Sequence, residues 1–144
     1  MAQAEPAQRL VARIVDTFVV GLPVVVVTRV ALPVSAAGVA MPVGLAVLLL
    51  LYDSVLVGMW GRTLGKRLVG IRVVQVAGPT GGGPVLRAGL RAAVYVIPIA
   101  LRPVPVLGVL AGLFWVADVA LILDRPRGQA LHDRIAGTGV EVEG

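Results

Sequence analysis

Three aspartates lie inside hydrophobic segments of the chain, and they are the residues with the clearest potential for chemistry. Asp16, Asp53 and Asp118 are each flanked by mainly apolar residues. Charged side chains at membrane depth cost about 2.5 to 3.5 kcal/mol each on insertion scales, so they are rare unless paired or functional. Such carboxylates can bind a proton or a monovalent cation, or they can fix helix packing by pairing with basic side chains.

Two arginines precede the first aspartate on the same predicted helix. Arg13 is three residues from Asp16, so the two side chains share a helix face, and Arg9 lies one further turn away. Asp53 and Asp118 have no arginine within one turn, so they need partners from other helices or must stay protonated. The spacing predicts an Arg9, Arg13 and Asp16 cluster and leaves three roles open: structural pairing, a cation or proton site, and a partner-binding surface.

The composition identifies the environment in which these charges must work. Hydrophobic residues make up 58% of the 144 residues, charged residues make up 15%, and the mean hydropathy is +0.93. These values are typical of an integral membrane protein with a single domain, residues 1–144. There is no cysteine and only one histidine, so we expect no disulfide, metal site or cofactor. The net charge of +5 is explained by membrane topology rather than by nucleic-acid binding.

The hydrophobic pattern predicts an all-α integral membrane helical bundle of about four segments. A spanning helix needs roughly 20 apolar residues. Pro33 and Pro42 bound a predicted turn between the first two segments, and the RPVP sequence at 102–105 predicts a turn between the last two. Arg87 and Arg91 make the third segment short or interfacial. The predicted segments are 10–31, 42–60, 86–101 and 104–123.

Charge asymmetry predicts how the bundle lies in the membrane. The loop 61–84 contains four basic residues and no acid, so the positive-inside rule places it in the cytoplasm. Four segments would return the basic tail 125–144 to the same side, with both termini cytoplasmic in a bacterial cell membrane. At about 1.5 Å per residue, Asp16, Asp53 and Asp118 would then lie about 10 Å from the cytoplasmic boundary. The sequence therefore predicts one charged layer.

The cytoplasmic loop and tail contain further predicted features. The GRTLGK sequence lacks the spacing of a phosphate-binding loop, so Arg62, Lys66 and Arg67 are expected to contact anionic lipid head groups. The GIRVVQV and AGTGVEVE sequences are typical of short strands. Since neither is stable alone, we expect them to pair as a two-stranded cytoplasmic β-ribbon near 71–76 and 138–143. This pairing would place His132 and Asp133 beneath the first helix.

Three blocks of sequence resemble a known family. RLVARIVD, LYDSVLVGMWGRTLGKRLVGIRVV and RGQALHDRIAGTGVEV are together similar to the RDD family of small bacterial membrane proteins. The family is named for one arginine and two aspartates, and by motif position these are Arg9, Asp16 and Asp133. The resemblance also covers the family's glycine and lysine loop, at Gly61, Thr63, Gly65 and Lys66. It implies a membrane topology and a suggested transport of ions or small ligands.

Two functions remain open on these residues. The first is transport of protons, monovalent cations or a small ligand through the carboxylate and arginine layer, which four helices would perform as a parallel homo-oligomer. The alternative is an accessory or adaptor subunit of a larger membrane complex. Neither is an enzyme, because neither serine is expected near His132 and Asp133. A water-lined layer would favour transport, and a dry, fully paired layer would favour the adaptor.

Overall fold

The protein is a helical membrane bundle with a small two-stranded sheet, as the sequence predicts. The computed structural model describes residues 2–76, 83–123 and 129–142. The long helices are α1 (Pro6–Ala31), α2 (Val34–Trp60), α4 (Pro84–Ala100) and α5 (Pro105–Leu123). The short elements are helix α3 (Leu64–Leu68), strand β1 (Ile71–Gln75), helix α6 (Leu131–Ala136) and strand β2 (Thr138–Val142).

Three of the helices, α1, α2 and α5, are long and apolar enough to cross a membrane within the described residues. Helix α4 has 17 residues, or about 25 Å at about 1.5 Å per residue, which is shorter than a hydrocarbon core of about 30 Å. It corresponds to the short third segment of the prediction. The predicted RPVP turn is confirmed, because α4 ends at Ala100 and α5 begins at Pro105.

The predicted turn between the first two segments is wrong in its extent. Helix α1 ends at Ala31 and α2 already begins at Val34, with Pro33 as its N-cap and Pro42 inside the helix. Proline is tolerated inside membrane helices because neighbouring groups and local adjustments satisfy the freed backbone. The second segment therefore begins at Val34 rather than at residue 42, and the helix has 27 residues.

Helix α2 is the centre of the bundle and packs against α1 and α4. At Gly58 an added Cβ would lie 3.0 Å from the backbone of Val85, so the absence of a side chain allows α2 and α4 to approach closely. Small residues at such contacts are typical of membrane helix packing. The buried core between α1, α2 and α4 consists of Val20, Ala46, Leu49, Tyr95, Val96 and Ile99.

The predicted β-ribbon is confirmed for the described residues. Strand β1 pairs antiparallel with β2, with Ile71 opposite Val142 and Gln75 opposite Thr138. The predicted end of the second strand at residue 143 lies outside the described residues. The start of the chain joins the sheet, because the amide of Ala4 donates to the carbonyl of Val140 at 3.0 Å. The ribbon therefore lies against the first turns of α1.

Candidate functional site

The first predicted site residue, Asp16, is fully buried and binds the loop that follows α2. Its carboxylate accepts hydrogen bonds from the Tyr52 hydroxyl at 2.8 Å, the Thr63 hydroxyl at 2.5 Å and the Gly65 amide at 2.8 Å. The predicted pairing of Asp16 with Arg13 is therefore wrong. Although three residues apart on one helix, the two side chains contact different neighbours.

The loop sequence explains why Asp16 can reach it. The left-handed conformation of Gly61, with φ of 71°, ends α2 and turns the chain back toward α1. Thr63 is the N-cap of α3, and its hydroxyl accepts a hydrogen bond from the Lys66 amide at 3.4 Å. A Cβ at Gly65 would overlap the carbonyl of Ala12, so only glycine allows this approach. The glycine and threonine positions of the loop are thus explained by its docking on α1.

The second predicted carboxylate, Asp53, lies between two cations. Arg13 Nη1 is 2.8 Å from Asp53 Oδ2, and Lys66 Nζ is 3.5 Å from Asp53 Oδ1. The Arg13 guanidinium also lies over the Tyr95 ring, 3.8 Å from its centroid, a cation–π contact. The partners of Asp53 come from other elements, as the sequence predicted for an aspartate without a neighbouring arginine.

Lys66 is not the lipid-facing residue that the sequence predicted. It is only 4% exposed, and its ammonium lies 3.8 Å from Asp16 and 3.5 Å from Asp53. Burial lowers the pKa of Lys66 to about 8, although the two aspartates raise it. Of the other predicted lipid-facing residues, Arg67 is exposed and Arg62 is half-buried.

Asp133, which the family resemblance assigned to the site, binds two arginines. Arg91 Nε lies 2.6 Å from Asp133 Oδ1, and Arg9 Nη1 lies 3.3 Å from Asp133 Oδ2. Burial alone would raise the pKa of Asp133, but electrostatic interactions with Arg91, His132 and Arg9 hold it below its usual range. The structure thus brings Arg9 to Asp133 rather than to Asp16. It also adds Arg91, which sequence analysis treated only as a limit on the third segment.

The third carboxylate of the predicted layer, Asp118, pairs with the single histidine. Asp118 Oδ1 is 2.9 Å from His132 Nδ1 and accepts a hydrogen bond from the Leu131 amide at 2.9 Å. His132 Nε2 is 3.6 Å from Asp133 Oδ1, so the ring lies between two carboxylates. Sequence analysis missed His132 as a site residue, because it considered the histidine only as a metal ligand or as part of a hydrolytic triad.

A cavity of about 350 Å³ opens beside these ion pairs, between α1, α4, α5 and the ribbon. Asp16 and Asp53 do not line it. Its apolar wall includes Leu10 and Trp115. Within the described residues, its charged or titratable lining consists of Arg9, Arg13, Lys66, Arg91, Tyr95, Asp118, His132 and Asp133.

The arrangement limits which ions the layer can hold. Among the described residues no group of three or more potential ligands forms a metal site. Four buried carboxylates lie in the described part of the chain, Asp16, Asp53, Asp118 and Asp133, and each already contacts a basic side chain. A metal cation would therefore compete with these basic side chains for the carboxylate oxygens.

Comparison with known families agrees with this architecture. The sequence profile of the RDD family matches residues 3–137, nearly the whole chain. Searches of curated proteins and of solved structures give no match. The match covers both the long apolar helices and the ion pairs of α6 and the 61–66 loop. The chain therefore belongs to the RDD family and is a membrane protein.

Proposed function

We propose that this RDD-family protein is a non-enzymatic membrane transporter that binds a small solute in the cavity and exchanges a proton there. The cavity beside the charged layer is the observation that carries the proposal, because a purely structural layer needs no such space. A volume of about 350 Å³ would hold several waters, since each water occupies about 30 Å³ of liquid. The proposed transporter is a parallel homo-oligomer in a bacterial cytoplasmic membrane, with the ribbon in the cytoplasm.

Two groups on the cavity wall support proton exchange. The pKa of Lys66, lowered to about 8 by burial, means that this ammonium releases its proton in a range close to neutral pH. His132 contacts Asp118 at 2.9 Å and lies 3.6 Å from Asp133, and imidazole is the side chain most suited to proton shuttling. The carboxylates are already occupied by basic partners, which favours protons and small solutes over a metal cation.

Flux measurements test the proposal. We expect purified protein in proteoliposomes to dissipate an imposed pH gradient, followed with an internal pH-sensitive dye. Asp118→Asn and His132→Gln should abolish this flux, because they remove titratable groups from the cavity wall. Thr28→Val is the matched control, since the Thr28 hydroxyl bonds only within α1, at 2.8 Å from the Val24 carbonyl, away from the cavity. Wild-type flux equal to that of protein-free liposomes under H⁺, Na⁺ and K⁺ gradients would refute transport.

The pairing of the four buried carboxylates that the structure describes favours a second candidate, an accessory subunit of a larger membrane complex. Such a subunit needs a stable bundle but no exchange of protons. The exposed Arg67 belongs to the basic face that would contact the complex. In native gels of solubilised membranes we expect a species larger than the purified protein, which Arg67→Glu should reduce in size. An unchanged species in that variant would contradict docking through this face.

A further inference from the structure

We infer that the cavity binds a small anionic amphiphile with one apolar chain, which enters from the bilayer between α1 and α5. The inference rests on the proposed function in one respect, that the cavity is the binding site. It adds the chemical class of the ligand and the route by which the ligand arrives. Three observations carry it: the charge of the lining, the position of the opening and the size of the cavity.

The charge of the lining favours an anion. Among the described residues, four permanently or mainly cationic side chains and two carboxylates line the cavity. Arg13 and Lys66 pair with Asp53, which is not in the lining, whereas two arginines share the single carboxylate of Asp133. The lining cations are Arg9, Arg13, Lys66 and Arg91. Because Arg9 and Arg91 share one carboxylate, a carboxylate or phosphate is the complementary group on this part of the wall.

Arg9 supplies a donor that is not used within the described residues. Its Nη1 binds Asp133 at 3.3 Å and its Nη2 binds the Val140 carbonyl at 3.2 Å, but its buried Nε has no hydrogen-bond partner there. A buried donor without a partner is unfavourable, and an oxygen of an anionic ligand would accept its hydrogen bond. Arg9 lines the cavity, so the ligand can meet this side chain from within it.

The apolar wall opens toward the lipid. Leu10 of α1 and Val119 and Leu123 of α5 line the cavity, yet they are 61%, 51% and 61% exposed. Helices α1 and α5 form two walls of the cavity but pack against different neighbours. Helix α1 packs on α2 and α3, whereas α5 packs on α4 and α6. Leu10 follows Arg9 in the first turns of α1, and Leu123 is the last residue of α5. A ligand can therefore place its head group at Arg9 and its chain along Leu10 and Leu123.

The size of the cavity limits the ligand to a single short chain. Its volume of about 350 Å³ is at the small end of the range of about 300 to 1,000 Å³ for ligand pockets. This space suits a carboxylate with a medium-length chain better than a two-chain phospholipid. The occupant is thus a free single-chain amphiphile rather than the head group of a bilayer lipid.

One tryptophan provides a direct readout of binding. Trp115 lines the cavity and packs edge-on against Tyr95, with ring centroids 4.4 Å apart. The other tryptophan, Trp60, is exposed at the end of α2, so Trp60→Phe leaves Trp115 as the reporter. With this variant in nanodiscs of neutral lipid at pH 7, octanoate should cause a saturable change in fluorescence. Octylammonium and octanol should bind about tenfold more weakly or worse, because they lack the anionic group.

Three outcomes of these titrations would overturn the inference. The first is the absence of a saturable response to octanoate. The second is octylammonium binding as tightly as octanoate, which would show that charge does not select the ligand. The third is displacement of octanoate by phosphatidylglycerol in the nanodisc, which would make a two-chain lipid the occupant.

Three variants locate the site. Val119→Phe should block the opening and weaken octanoate binding about tenfold. Val116 lies one turn earlier on α5, is 69% exposed and is not in the lining. Val116→Phe should therefore bind octanoate like the parent protein. Arg9→Lys keeps a cation for Asp133 but removes Nε, so it should weaken octanoate and leave octanol unchanged. Unchanged octanoate binding in Val119→Phe would overturn the site.

The same proteins separate this inference from the transport proposal. Octanoate binding without dissipation of a pH gradient would support the inference and refute proton-coupled transport. Flux without octanoate binding would refute the inference and leave transport standing.

Discussion

The contact between Arg13 and Asp53 makes a quantitative prediction about stability. Asp53→Asn would leave Arg13 and Lys66 without the carboxylate that they share at 2.8 Å and 3.5 Å. Removing one member of a buried ion pair costs about 3 to 5 kcal/mol, and the partial exposure of Arg13 favours the lower value. Adding Arg13→Gln removes one of the two uncompensated cations. Since contacting residues couple by about 0.5 to 3 kcal/mol, the second change should recover that much.

The assay is the free energy of unfolding of each variant in mixed micelles with a denaturing detergent. The control cycle combines Arg13→Gln with Asp16→Asn, because Asp16 is held by Tyr52 and the 63–65 loop rather than by Arg13. Arg13→Gln should rescue Asp53→Asn and leave the loss in Asp16→Asn unrecovered. Equal rescue in both cycles, or a neutral effect of Asp53→Asn alone, would show that Arg13 and Asp53 do not form a stabilising pair.

Three further predictions concern the loop, pH and topology. Gly65→Ala should lower the free energy of unfolding by about 3 kcal/mol, because the added Cβ would overpack the contact with α1. Gly112→Ala is the control, since an added Cβ there meets nothing within 4 Å, and it should change the free energy of unfolding by less than about 1 kcal/mol. Similar losses in both variants would contradict the docking of the 61–66 loop on α1. The folded protein releases the Lys66 proton near pH 8, whereas the unfolded chain keeps it until about pH 10.5. The free energy of unfolding should therefore rise with pH between these two values. Measured over the same pH range, Lys66→Met should show a smaller rise. In intact cells, Gly83→Cys should resist an impermeant thiol reagent and Arg102→Cys should react; the reverse pattern would refute a cytoplasmic loop.

The spans and the ribbon were predictable because their signals are local. Hydrophobic length identifies a spanning helix, and alternating valines beside glycine identify a short strand. The start of α2 was missed for a local reason as well. Pro42 looked like a helix start, but a membrane helix accepts proline in its interior, so this signal is weaker in lipid than in water.

The partners within the charged layer were not predictable from spacing alone. Residues three apart share a helix face, yet Asp16 turns toward the loop at Thr63 and Arg13 turns toward Asp53 of the next helix. The partner of each side chain depends on the rotation of α1 relative to α2 and on how the 61–66 loop packs against α1. Both are properties of the tertiary structure. The burial of Lys66 has the same origin. Gly65 allows the loop to pack closely against α1, which places the Lys66 ammonium group next to Asp16.

The structural and functional interpretations of the layer do not exclude each other, and Arg9 shows why. Two of its nitrogens stabilise the fold, because they hold Asp133 of α6 and the Val140 carbonyl of β2. The third, Nε, is buried without a partner among the described residues, on a side chain that lines the cavity. Loss of the fold in Asp133→Asn would therefore say little about ligand binding, whereas Arg9→Lys, which keeps the charge and removes Nε, separates the two roles.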